Sequence, residues 1–285
     1  MPETTRSKNV SQEEFWNGPM AEKWRRYWPH VDRLLLPFTD RLLRSAAAQE
    51  GEVTLDVGCG PGTTTLALGH DVGVEGRAVG IDISRVLLEV AECRRDEAGL
   101  SQVSFFRGDA AKADTPSKPV DLILSRFGIM FFDEPEAAFA HLRSVMKPGG
   151  RIRFVCWLGL EDNPWMRAGI EVASNHATPS DPPGPGTPGA FAFSDPDRVR
   201  QILREAGLTR VEVDRLDASV AVGPTAEEAA EFFIEMGPGA KLFEDLSADK
   251  LDQARRELVA MYRSHASRGG VHMEGAAWLV QAMNQ

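Results

Sequence analysis

The sequence predicts an α/β protein: a doubly wound parallel sheet with helices on both of its faces. Two observations carry the prediction. Between residues 52 and 157, short apolar runs of strand length alternate with longer amphipathic stretches, the rhythm of β-α-β units. Those short runs are apolar throughout rather than at every second position, which suits strands buried on both faces.

The elements follow in order. VTLDV (53–57) is the first strand, and TTTLALGHDV (63–72) the helix after it. RAVGID (77–82) is the second strand. The helix at 84–100 has Ser84 as its N-cap and Gly99 as its stop. VSFFRGD (103–109) and VDLILSRF (120–127) are the third and fourth strands. DEPEAAFAHLRSVM (133–146) reads as a helix capped by Asp133, with Pro135 and Glu136 in its first turn. KPGG (147–150) makes a turn into the fifth strand, RIRFVCW (151–157). The run TPSDPPGPGTPG (178–189) is rich enough in proline and glycine to be an extended loop. A capped helix at 193–208 and an alternating strand, RVEVDRLDASVAV (210–222), come next. Two helices then flank a break at GPGA (237–240), and AAWLVQAM (276–283) closes the chain as a strand. The organisation expected is a helical, aromatic-rich cap over 1–50, a core over 51–158 and a proline-rich cap over 159–194. Residues 195–285 then complete the core, with a helical insertion at about 224–270.

Composition narrows the function. A hydrophobic fraction of 42% with 26% charged residues is that of a globular protein. No apolar run approaches the ~20 residues of a membrane span, and the polar N-terminus lacks a secretory core, so a cytoplasmic protein is expected. Three cysteines, an odd number without a C-x-x-C pair, argue against disulfides or structural zinc. No cluster has metal-ligand spacing. The net charge of −10 opposes nucleic-acid binding and favours a small-molecule partner.

In an open parallel sheet, ligands sit beyond the carboxyl ends of the strands, where strand order reverses. The polar candidates fall at those ends: Gly58, Gly60 and Gly62 after the first strand, Asp82 after the second, Asp109 after the third, and Ser125 to Phe127 at the fourth. The glycines run G-x-G-x-G, not the G-x-G-x-x-G of a dinucleotide site, and Asp56 sits two residues before the first. A carboxylate there repels a pyrophosphate and suits an ammonium group. Asp82 is placed to accept from both hydroxyls of a ribose, each such bond contributing roughly 1.5–3 kcal/mol, and Asp109 from an adenine amino group. These features describe a ligand with an adenosine end, a cationic amino-acid end and no phosphate.

DVGCGPG, GIDIS, FRGDA and VDLILSRFGIMFF resemble the cofactor motifs of the Rossmann-like S-adenosylmethionine-dependent methyltransferases. The likeness leans to the small-molecule branch of ubiquinone/menaquinone C-methyltransferase-like proteins. It implies a seven-stranded, mostly parallel sheet whose last strand runs antiparallel beside the fifth. It also implies a cofactor set: Asp56, Gly58, Cys59 and Gly60 at the methionine end, and Asp82 and Ile83 at the ribose and adenine. Gly108, Asp109 and Ala110 follow at the adenine edge, and Ser125, Arg126 and Phe127 beneath the sulfonium. Trp16 and Trp24 join that set. With Phe15, Tyr27 and Trp28 they form either a lid wall around a cation or plain packing.

In-line methyl transfer depends on alignment, and a base is needed only if the acceptor must lose a proton. His30 and Arg126 are the candidates for a catalytic part. Arg126 either touches the acceptor or pairs with an internal carboxylate. Trp157, Asn163 and Trp165 follow the fifth strand, where an acceptor pocket would open. The expected activity is methyl transfer to a small, partly apolar acceptor. The alternatives are a non-catalytic cofactor-binding or partner protein and, against the glycine spacing, an NAD(P)-dependent oxidoreductase.

Overall fold

A computed structural model describes residues 8–112, 119–177, 187–244 and 246–285. Residues 178–186 of the expected proline-rich loop lie outside the described residues. Two N-terminal helices, α1 (Lys8–Asn17) and α2 (Pro19–Ala46), precede the sheet. Every third or fourth residue of α2 (Val31, Leu34, Leu35, Phe38, Leu42, Ala46) is buried, and this stripe packs α2 across β4, β5 and β6.

The core runs β1 (Val53–Val57), α3 (Thr63–Val72), β2 (Arg77–Asp82), α4 (Arg85–Ala98), β3 (Val103–Arg107), β4 (Val120–Arg126), α5 (Pro135–Ser144) and β5 (Met146–Trp157). There follow α6 (Pro164–His176), α7 (Pro196–Glu205) and β6 (Thr209–Gly223). The chain ends with α8 (Ala226–Met236), α9 (Lys241–Glu244), α10 (Ala248–Arg263), β7 (Ala266–Ser267) and β8 (Gly270–Met283). The strand order is β3-β2-β1-β4-β5-β8-β6. The pairs from β3 through β5 are parallel, whereas β8 runs antiparallel between β5 and β6. That is the predicted α/β arrangement. Strand order reverses between β1 and β4, so the crevice beyond their carboxyl ends is the site the topology offers.

Local chemistry accounts for the boundaries. Ser84 accepts from the Leu87 amide at the start of α4, and Gly99 ends that helix in the left-handed conformation. The cap of α5 falls elsewhere than expected: Glu134, not Asp133, is at the N-cap, because Pro135 already opens the helix. The KPGG segment is no separate turn. β5 begins at Met146, and a bulge carries the register from Val120↔Met146 to Leu122↔Arg151. Gly149 takes a φ of 79° within it. Asn284 takes up the bulge's backbone, exchanging bonds with Gly149 and Gly150 and donating from its side chain to Met146 and Lys147. The closing strand starts at Gly270, six residues before the run that announces it, since β6 is long enough to pair with all of it. The two-residue β7, which pairs with β8, adds an eighth strand that the sequence did not announce.

Candidate active site

Beyond the carboxyl ends of β1, β2, β3 and β4 lies a cavity of about 1020 Å³. Small-molecule sites occupy roughly 300–1,000 Å³, so this one has room for two small molecules side by side. Its floor is the loop after β1. Gly58, Gly60 and Gly62 all have positive φ, 67°, 51° and 82°. The three are bare for different reasons. A Cβ at Gly58 would lie 2.8 Å from the Cα of Gly128, and one at Gly62 would lie 2.8 Å from the ring of Phe105. Around Gly60 a Cβ would meet only Leu87, at 3.9 Å. Thus Gly60, which lines the cavity, is the one of the three with open space where a side chain would stand.

Asp82 is built as a fixed acceptor. Its Oδ2 accepts from the Gly60 amide at 2.7 Å and its Oδ1 from the Ser84 amide at 2.8 Å. Each oxygen keeps a second lone pair, and the residue lines the cavity. Burial raises its pKa, while the amides of Ser84, Gly60 and Ile83 oppose the rise. Next to it, Asn17 of α1 donates to the Ile83 carbonyl at 3.0 Å and accepts from the Arg85 amide at 3.0 Å. Arg107 of β3 pairs with Glu13 at 2.9 Å. These contacts close α1 over the ends of β2 and β3, with Trp16 and Trp24 facing the cavity.

Cys59, Ile83, Gly108, Asp109, Ala110, Arg126 and Phe127 line the cavity too. Burial holds the Cys59 thiol well above the usual range, so it stays protonated and is no nucleophile. Two expected cofactor residues do not line it. Asp56 is fully buried beneath α3. Its Oδ2 accepts from the hydroxyls of Thr64 and Thr65 at 2.6 and 2.7 Å. Its Oδ1 has no hydrogen-bond partner among the described residues, and burial pushes its pKa up to about 6. Ser125, also fully buried, donates to the Val57 carbonyl at 2.7 Å and so joins β4 to β1 at the switch point. The sequence placed both at strand ends; side-chain direction sends them under the floor.

His30 is likewise placed away from the cavity. Its Nε2 is 2.7 Å from the Val222 carbonyl and its ring stacks on Phe232, centroids 3.9 Å apart. Burial lowers its pKa. Arg126 makes an internal pair while it lines the cavity: its Nη2 donates to Asp32 at 2.8 Å, and its Nη1 to Thr39 at 3.1 Å. The aromatic cluster divides. Phe15, Trp16 and Trp24 face the cavity, whereas Tyr27 packs on Phe232 and Trp28 lies under the guanidinium of Arg94.

The far half of the cavity is apolar. Phe127, in a left-handed conformation with φ 59°, stacks on Trp157 with centroids 4.0 Å apart. Trp165 follows at 5.7 Å, and Met130, Phe232 and Met236 complete the wall. Asn163 is spent on structure: its side chain bonds the backbone of Leu158, Gly159 and Ala276. Glu13, Asn17, Asp32 and Phe232 carry no motif, and only the fold brings them here. Among the described residues no cluster of three or more His, Cys, Asp or Glu could hold a metal, and no helix is long and apolar enough to cross a membrane.

With this geometry in hand, residues 54–150 match a family described as a methyltransferase domain. The chain is 31% identical over 133 residues to the aklanonic acid methyltransferase DauC of Streptomyces sp. (strain C5), covering 47% of this chain and 57% of that one. It is 32% identical over 109 residues to a demethylmenaquinone methyltransferase of Geobacillus stearothermophilus, covering 38% and 47%. The chain thus spans about half the length of these curated relatives. Its fold is similar to that of the YcgJ protein of Bacillus subtilis, with a TM-score of 0.57 at 16% identity over 87% of this chain and 97% of that one. The resemblance to Rossmann-like S-adenosylmethionine-dependent methyltransferases is borne out over the core.

Proposed function

We propose that this protein binds S-adenosylmethionine in the crevice beyond β1 and β4 and transfers its methyl group to a small, largely apolar acceptor. One observation carries the reading. The Asp82 carboxylate is locked by two backbone amides with a lone pair left on each oxygen, beside the open backbone of Gly60. Such an acceptor pair suits the two hydroxyls of a ribose, and it stands within residues 54–150, which match a methyltransferase domain. Gly108, Asp109 and Ala110 line the adenine side, and Trp16 and Trp24 close over the cofactor.

When bound, the cofactor supplies an electrophilic methyl group on a sulfonium. The chain's part is to hold, orient and keep dry. Held alignment of two reactants is worth about 7–11 kcal/mol of barrier, and α1 with α8 roofs the cavity. The acceptor would lie against Phe127, Trp157 and Trp165, a wall that favours an apolar body by area burial. The relatives named for aklanonic acid and demethylmenaquinone act on small molecules, and an acceptor of that size fits the space left beside the cofactor. His30 takes no part in this arrangement.

Titration calorimetry with S-adenosylhomocysteine and with NAD tests the binding step. Micromolar binding of the first and none of the second is expected; NAD binding alone would overturn the reading. An acceptor screen that never yields S-adenosylhomocysteine would reduce the protein to a cofactor-binding module.

A further inference from the structure

Beneath the cavity, four elements meet at one carboxylate. Asp32 of α2 takes Arg126, the last residue of β4, on its Oδ1 at 2.8 Å. Its Oδ2 takes the hydroxyl of Thr63, the first residue of α3, at 2.5 Å. Arg94 of α4 stands 3.8 Å from that same oxygen and donates to Thr63 at 2.9 Å and to the Pro61 carbonyl, within the glycine loop, at 2.7 Å. Both members of the Asp32–Arg126 pair are well buried, their side chains 16% and 9% exposed. Stability alone does not explain such a pair, since an apolar replacement of equal volume is often no worse.

Arg126 has a second face. A guanidinium carries five N–H donors in a planar fork that matches a carboxylate. Among the described residues Asp32 and Thr39 engage one nitrogen each, and the side chain lines the cavity. Its place along the sheet is specific. β1 lies between β2 and β4. A nucleoside held at Asp82, beyond β2, that crosses the glycine loop after β1 brings its far end to the tip of β4. That far end is the amino-acid part of the cofactor.

On the reading above, we infer that Arg126 receives the α-carboxylate of the cofactor, and that Asp32 is the positioning residue that aims it. Asp32 fixes Arg126 and the start of α3 together, so the carboxylate site and the glycine loop move as one unit. No acidic group on the acceptor is required.

The test is calorimetric and compares S-adenosylhomocysteine with its decarboxylated analogue, which keeps the nucleoside, the thioether and the amine. Wild-type protein is expected to bind the full ligand at least tenfold tighter. Arg126→Gln should weaken the full ligand at least tenfold and leave the analogue within twofold. Asp32→Asn should give a smaller loss with the same selectivity, and Arg126→Lys an intermediate one, with melting temperature recorded for each. Equal wild-type affinity for the two ligands overturns the inference, even if no variant folds. So does a variant that weakens both ligands alike, or one that raises the acceptor KM alone. Failure of wild type to bind S-adenosylhomocysteine sinks the proposed function instead.

Discussion

Asp82 and Asp56 are acids at the ends of neighbouring strands, and their surroundings set them to different tasks. Asp82 is held by the amides of Gly60 and Ser84 and offers its remaining lone pairs to the cavity. Asp82→Ala should therefore weaken S-adenosylhomocysteine binding at least tenfold, the equivalent of ~1.4 kcal/mol; an unchanged dissociation constant in calorimetry would remove the ribose assignment. Asp56 is fully buried, and burial lifts its pKa to about 6. A carboxyl whose folded pKa is raised binds its proton more tightly in the native state. Its contribution is complete below the unfolded pKa near 4 and is lost as pH rises through about 6. Wild type should lose about 2–3 kcal/mol relative to Asp56→Asn across that window and run parallel to it at higher pH; urea melts at several pH values measure this. Both acids stood out in the sequence as strand-end carboxylates. Which one faced the ligand did not, because direction at the end of a strand depends on what the neighbouring helix covers.

At the scale of elements, α1 is fastened to the ends of β2 and β3 by few contacts. Asn17 bridges Ile83 and Arg85. The Glu13–Arg107 pair is half exposed and contributes little. Asn17→Ala should speed S-adenosylhomocysteine release several-fold, read by stopped-flow fluorescence of Trp16 and Trp24; an unaltered rate would mean that α1 does not gate the cavity. The capping signals Ser84 and Gly99 were legible because they act within one turn of chain. The bulge in β5 and the early start of β8 were not. Each depends on a partner far along the chain, Asn284 for the bulge and β6 for the strand.

Over the whole molecule, the last strand to be made lies between β5 and β6. A chain ending at residue 265 would leave both without their partner and bare Phe154, Trp157, Val213 and Leu216, which pair with Ala277 and Val280. Such a truncation should show no cooperative thermal transition, by circular dichroism; a sharp melt would show that the parallel half folds alone. The cavity too is a long-range product, walled by Trp16, Gly60, Asp82, Phe127, Trp165 and Phe232. By itself the sequence determined the α/β class and the strand-end glycines and acids, and it pointed to a ligand with a nucleoside but no phosphate. Those follow from periodicity and spacing, which are properties of adjacent residues. Only the tertiary structure decided that Gly58 and Gly62 are bare for the sake of Gly128 and Phe105, that Asp56, Ser125 and His30 face away from the cavity, and that Asp32 meets Arg126. Those outcomes depend on which side chains approach one another across the fold, and contact between distant segments leaves no local mark in the chain.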